Sequence, residues 1–411
     1  MIFGGPTAPP GLRYASKVIV RPSGGDDAAR LQAVFDTFAV AGGGEVEIDG
    51  LLQLASGVTY SGHGLKLTTT SKYRSGIATT SGFQSGDVLT LQALVEGSGG
   101  REFSVHGLRI ENYDEGVTPR TSGVGLKLYN LNFARLSDIF VIGQYDGVKI
   151  DSPSSHISSG ISIDGIWVYS SKHDGIWLAN VSALYMSDIT MDNAPTGQGT
   201  GAGIRWNSRD AVNIDTGVVL RFATGFLYDP TYAITVTPGI GHIKGLQCDS
   251  GFGWGYDIRD CQSLEFIGCE AGYNAGGGVI LPAPTSSSYG KGFSWLGGKI
   301  LGNTAGNGIQ IAAGNEDWTV QQAQIGANAN NGIALASSVG GGRIIANRIA
   351  SSTFGYSPLG GSSQLYGFSF GGSHANMIVM GNDTRGNGAG NYTGTPPSGA
   401  GNYVAGNTWQ L

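Results

Sequence analysis

A four-residue unit recurs along the chain: glycine, then apolar, variable, apolar. It reads Gly125-Leu-Lys-Leu, Gly147-Val-Lys-Ile, Gly175-Ile-Trp-Leu, Gly203-Ile-Arg-Trp and Gly225-Phe-Leu-Tyr. It continues as Gly255-Tyr-Asp-Ile, Gly278-Val-Ile-Leu, Gly308-Ile-Gln-Ile, Gly332-Ile-Ala-Leu and Gly367-Phe-Ser-Phe. Successive units start 22 to 35 residues apart. The alternation predicts strands with one buried face. Other short strand patterns fill the intervals, for example residues 183–191 and 263–267, giving about three strands per repeat. Repeats of this length built from short strands predict a solenoid. Three strands per turn make it an all-β, single-stranded parallel β-helix of about ten coils. A β-propeller needs longer repeats and regular hairpins, and a leucine-rich repeat needs a Leu/Asn consensus that is missing.

The ends differ from the middle. After Asp26-Asp27, the residues Leu31, Val34, Phe35 and Phe38 follow helical spacing. Asp26 is the expected cap, and Gly42-Gly43-Gly44 the stop. Such an α-helix would cover the apolar open end of the stack. Residues 45–49 then read as the first strand. Three segments follow: residues 1–50 with the capping helix and first strand, 51–370 as the β-helix, and 371–411 as an irregular final coil or tail. That last segment is rich in Gly and Asn and holds Thr395-Pro396-Pro397.

Composition narrows the function. Glycine supplies 71 of 411 residues, which suits many tight corners. The net charge of −6, with no Lys/Arg cluster, argues against nucleic acid or an anionic membrane as partner. No apolar run reaches the ~18–20 residues of a membrane helix. Met1 to Pro6 lacks the basic start and apolar run of a signal peptide. Cys248, Cys261 and Cys269 match no zinc spacing and read as small buried hydrophobes, with a disulfide between two of them the alternative. No metal ligand set and no cofactor motif is visible.

The opening Gly25-Asp26-Asp27, Leu31-Gln32 and Gly42-Gly43-Gly44-Glu45-Val46, followed by the coils, resembles the pectate-lyase-like right-handed parallel β-helix proteins. Within them it is most similar to phage tailspike polysaccharide depolymerases. The resemblance implies a homotrimer whose outer grooves bind bacterial glycans, located on a virion tail or outside the cell. It leaves the reaction open, because this fold hosts hydrolases, lyases, epimerases and adhesins. The Asn-Thr-Asp, Asp-Asp, Gly-His-Gly and Arg-Ile-Lys motifs of polygalacturonases are not reproduced. Gly62-His63-Gly64 lies too early, and Arg343-Ile344-Ile345 lacks the lysine.

Stacking turns chain positions into columns, one strand spacing apart. Alignment on the glycine unit places Asp192, Arg221, Asp249 and Glu270 near one position on four coils, continued by Asn303 and Asn328. A second column, Asp146 and Asp174, sits just before the glycine, with His173 beside Asp174. Glycoside hydrolysis needs a carboxyl acid and a carboxylate base or nucleophile. Asp249 and Glu270 are the expected pair, with Asp192 or Asp174 assisting. Asp before glycine is also an ordinary turn former, which is the competing reading for Asp146 and Asp174. Arg221 is placed to bind an acidic sugar or hold a carboxylate ionised. Trp254, Tyr273 and Asn274 follow the pair into their turns as substrate-binding residues. The outward positions of the glycine strands run Lys149, Trp177, Arg205, Leu227, Asp257, Ile280 and Gln310. Trp177 and Arg205 there form either a sugar platform or a subunit contact. Trp206 and Tyr228 point inward as core. The expected activity is an endo-acting glycoside hydrolase on a polysaccharide. The rivals are a lyase using Arg221 and Lys244, and a non-catalytic glycan-binding adhesin.

Overall fold

The computed structural model describes residues 16–93, 100–112, 120–153, 156–193, 199–208, 211–230, 240–286, 288–350, 364–399 and 401–408. The segment Met1–Pro6 lies outside them. The chain folds as a parallel β-helix. Among the described residues one sheet holds thirteen strands, from Val58–Ser61 to Gly390–Gly394, and the other holds twenty-four. Thirteen exceeds the ten glycine units because Val58–Ser61, Leu89–Gln92 and Gly390–Gly394 extend the stack without the full motif.

The glycine units form the thirteen-stranded face. Their first apolar residues stack as Val148, Ile176, Ile204, Phe226, Tyr256 and Val279, all fully buried. Trp206 and Tyr228 lie inside as expected, edge to face at 4.8 Å. Below them Tyr256, Phe266 and Trp295 pack ring against ring at 5.2–5.7 Å. The glycines serve close approach rather than unusual backbone angles. A β-carbon on Gly147 would lie 2.5 Å from the carbonyl oxygen of Gly175, and one on Gly175 2.6 Å from that of Gly203. A β-carbon on Gly203 would also lie 2.1 Å from Val219.

The twenty-four-stranded sheet bends. Strand Leu131–Ile142 keeps its pairing on both sides of Asp138, which has φ +52°. The same bend recurs in twelve coils, from Gly107 through Thr216 to Gly381 and Gly406, always with φ between +52° and +74°. This left-handed conformation costs a non-glycine residue about 1–2 kcal/mol. It turns the chain between two faces at a constant height. A second bend column holds Gly143, Ser170, Arg221, Ser250, Tyr273 and Gly302.

Buried amides line the corner after that second column. Asn274 donates through Nδ2 to Oδ1 of Asn303 (3.2 Å), and Asn303 likewise to Asn328 (2.7 Å). Asn328 donates to Gln364 (3.0 Å), and Gln364 to Asn387 (2.7 Å). The oxygens of Asn274, Asn303 and Asn328 also accept a backbone N–H of the coil before, as in Asn274 N to Asn303 Oδ1 at 3.0 Å. A separate ladder runs Asn347, Asn382, Asn407.

The helix spans Ala28–Ala41 and stops at Gly42, with φ +81°. Asp26 accepts the N–H of Ala28 and that of Ala55, both at 3.0 Å. Gln32 covers the sheet edge: its amide donates to the Thr59 carbonyl and accepts the Thr59 N–H, each at 2.8 Å. Its side chain thus completes an edge strand as a neighbouring strand would. Two boundaries differ from expectation. Strand Lys17–Val20 precedes the helix and pairs with Gly44–Ile48, so the stack starts before residue 45. The C-terminal residues expected as an irregular coil add strands Ile378–Met380, Gly390–Gly394 and Tyr403–Ala405, because Asn382 and Asn407 continue a ladder. The three cysteines are buried and unpaired.

Gly203→Ala and Gly278→Ala should each destabilise by about 2 kcal/mol or more through overpacking. Gly268→Ala, where the space is open but φ is +62°, should cost about 1 kcal/mol. Denaturant midpoints with equal slopes would check this order.

Candidate active site

The outer strip of the twenty-four-stranded sheet carries the expected acids. Backbone pairing runs Asp192 to Leu220, Leu220 to Asp249, and Asp249 to Gly272. Asp192 and Asp249 therefore share a column two coils apart. Arg221 and Glu270 do not fall in it. Arg221 is one residue further on, in the bend column at φ +63°. Glu270 is two residues earlier, pairing with Gln247 and with Lys299. Two residues is a full strand period, so Glu270 still points to the same side as Asp249. The two sit diagonally on adjacent coils, about 8 Å apart at the backbone.

Their surroundings differ. Asp249 is half-buried and accepts hydrogen bonds from Ser250 Oγ (2.8 Å) and Gln247 Nε2 (3.2 Å). Its carboxylate overlies Gly272, where a β-carbon would lie 3.3 Å from Oδ2. Glu270 is half-buried; its backbone carbonyl accepts the Tyr256 hydroxyl at 3.3 Å, and its carboxyl has no hydrogen-bond partner among the described residues. Burial pushes its pKa above the usual carboxyl range; the Lys299 ammonium opposes this and the Asp249 charge adds to it. Lys299 was not singled out from the sequence, because only the observed pairing places it above Glu270.

Arg221 belongs to Asp192. Its guanidinium forks onto that carboxylate, Nε to Oδ1 at 2.8 Å and Nη2 to Oδ2. This bond raises its pKa. Its backbone N–H meets the Asp249 carbonyl at 3.1 Å. Tyr273 follows Gly272 at φ +53° and lies against Gly302. Trp254 lies over Gly277. Both rings are half-exposed. Asn274 is fully buried as a ladder rung, so its amide faces the interior and not a bound substrate. Lys244 pairs with Asp215 and Ile267 before the first bend, away from this strip.

A second cluster occupies the start of the glycine face. Asp174 is fully buried. It accepts the Ala202 N–H (2.7 Å) and a fork from Arg205, Nε at 2.6 Å and Nη2 at 3.1 Å. Asp146 accepts the Asp174 N–H (3.0 Å) and His173 Nδ1 (2.8 Å). Asp87 holds Val124 in the same way. These aspartates fasten one coil to the next, and Asp174 is sealed from solvent rather than free to assist Asp249. The Trp177 ring sits 3.8 Å from Lys149 Nζ and 6.0 Å from the Arg205 guanidinium. Tyr145 stacks on His173 at 5.3 Å. Asp146, His173 and Asp174 are close enough together to meet at an ion. However, the carboxylates are already occupied by N–H groups and Arg205, so the donor set does not fit a resident metal.

No family model matches the chain, and no curated protein is similar to it. Solved structures are. Tailspike protein 3 of bacteriophage CBA120 superposes with a TM-score of 0.57 at 11% identity, over 94% of this chain and 59% of that one. The fold is the parallel β-helix, which that tailspike shares. A mutant tailspike of Escherichia coli bacteriophage HK620 gives 0.48 at 12% identity, over 89% of this chain and 66% of that one. A mannuronan C-5 epimerase A-module of Azotobacter vinelandii gives 0.47 at 13%, over 93% and 96%. The chain thus spans about three fifths of the CBA120 tailspike, and what the two share is architecture.

His173 should titrate above the usual ~6.5 of a histidine, because its hydrogen bond to Asp146 outweighs burial. Asp146→Asn should bring it back down. The raised folded pKa means this stabilisation is full below pH ~6.5 and fades as pH rises through the folded value. NMR titration of the imidazole with parallel melting curves would check both.

Proposed function

We propose that the chain is a glycan depolymerase, an endo-acting glycoside hydrolase that cuts a bacterial surface or extracellular polysaccharide. The observation that carries this reading is Glu270: a half-buried carboxyl with a raised pKa and no hydrogen-bond partner, diagonal to Asp249 on the outer strip. A carboxyl whose hold on its proton is strengthened by burial suits a general acid. Glu270 would protonate the glycosidic oxygen as the C–O bond breaks. Asp249, oriented by Ser250 and Gln247, would take a proton from the attacking water or attack the sugar itself. Tyr273 and Trp254 flank the pair for stacking, and the Asp192–Arg221 ion pair offers hydrogen bonds to sugar hydroxyls. The same reading places the protein as a homotrimer on a virion tail or outside the cell.

A lyase is less well served. It needs a cation to neutralise a uronate; Arg221 is forked onto Asp192 and Lys244 lies before the first bend, so Lys299 beside Glu270 would have to serve. A non-catalytic adhesin would not need the unpaired acid at Glu270.

The test is incubation with a panel of bacterial surface polysaccharides, following chain length and reducing ends. Shortened chains with new reducing ends and no ultraviolet-absorbing product are expected. An unsaturated product would make it a lyase, and binding without cleavage an adhesin. Glu270→Gln and Asp249→Asn should each lower the rate by about 100-fold or more while retaining binding. The rate should also fall as pH rises through the raised Glu270 pKa, because the acid must be protonated.

A further inference from the structure

The strip that carries Asp249 and Glu270 continues toward the N-terminal end as two columns. One runs Phe140, Trp167, Thr190, Val218, Gln247, Glu270. The other runs Ile142, Tyr169, Asp192, Leu220, Asp249. Trp167 and Tyr169 alternate on one strand, point outward, and are 45% and 42% exposed. Phe140 backs Trp167 from the preceding coil, with centroids 4.7 Å apart. Tyr73, 60% exposed, meets Phe140 edge-on at 5.9 Å. The platform is braced. Lys72 sits 5.4 Å from the Tyr73 ring and 5.8 Å from Phe140 while bonded to Asp138. Arg109 Nη1 holds the Tyr73 carbonyl at 2.7 Å.

Exposed aromatics gathered in adjacent columns mark a binding surface. We propose that Trp167 and Tyr169, backed by Phe140 and Tyr73, are a glycan-stacking platform on the same strip as the acid pair, and that the polysaccharide lies along the rod axis. A sugar ring has an apolar C–H face that matches an aromatic ring and hydroxyls that match polar neighbours. Thr190 and Asp192 supply those neighbours one coil further on. Continuity with the carboxylates selects a glycan over a protein as occupant. Tyr169 is three coils from Asp249 and Trp167 four coils from Glu270, about 14 and 19 Å. The platform would therefore grip the chain about three or four sugar units from the bond that is cut. The direction of the cut rests on the hydrolase reading, whereas the platform itself does not.

Affinity electrophoresis through gels cast with each polysaccharide of the panel separates the two. Wild type and Glu270→Gln should be retarded alike. Trp167→Ala and Tyr169→Ala should each weaken retention by about tenfold or more. Tyr185→Ala is the control: its ring is 44% exposed but lies before the bend at Asp188, on another face, and its loss should change nothing. Melting curves report whether each variant is folded, and if Trp167→Ala is not, Tyr169→Ala decides. Retention that depends on Trp167 and Tyr169 upholds the platform even where no chain is cut, an outcome that would overturn only the hydrolase. Equal retention of the platform variants, or no retention of wild type by any polysaccharide, overturns the platform.

Discussion

Glycine meeting glycine sets the geometry of this rod. From Gly125 to Gly332 the α-carbon of each unit lies against the carbonyl oxygen of the next coil's glycine, so close that a β-carbon would come within 2.5–2.9 Å. At Gly367 the partner is Asn391. The contact holds one face of every coil at a single height and lets apolar residues behind it fill the interior. The repeats can then differ widely in length, because the extra residues are carried by turns. The left-handed bends set the height of the other faces in the same way. Outward side chains inherit their positions from these two constraints, and Asp249 and Glu270 become neighbours although 21 residues separate them.

The acids fall into two groups by what they touch. Asp87, Asp146 and Asp174 receive backbone N–H groups from the next coil, so their charge is matched and their place fixed. Asp192 is matched by Arg221. Glu270 has neither kind of partner, and Asp249 has only a serine and a glutamine. Burial of charge without a partner opposes folding, so a half-buried and incompletely matched pair of carboxyls is where chemistry is to be sought.

Much of the architecture was legible in the sequence. The glycine unit fixes the repeat through side-chain chemistry: glycine where there is no room, apolar residues where the chain faces inward. The helical spacing and the stop at Gly42 marked the capping helix for the same reason, although the N-cap position is Asp27 and Asp26, expected there, holds the Ala28 N–H from one residue earlier. The site was harder to place. Which residue stands above which depends on backbone bends, and several bends are made by residues with no preference for them, such as Thr216, Gln322 and Ala346. Without those bends, Arg221 and Glu270 shift by one and two positions. Asn274 looked like a surface donor because an asparagine in a turn gives no sign of which way it points. Strand Lys17–Val20 escaped because its partner lies beyond the helix, and the C-terminal strands because a Gly/Asn-rich segment reads as loop until its asparagines are seen to stack.

The asparagine ladders have an electrical consequence. The bonds from rung to rung all run one way, each amide nitrogen donating to the oxygen of the next rung toward the C-terminal end, while each asparagine nitrogen also donates back to a backbone carbonyl of the preceding coil. Aligned hydrogen bonds in a low-dielectric interior polarise one another, and their sum behaves as a modest analogue of the macrodipole of an α-helix. The rung-to-rung bonds alone point their donor ends toward the C-terminus.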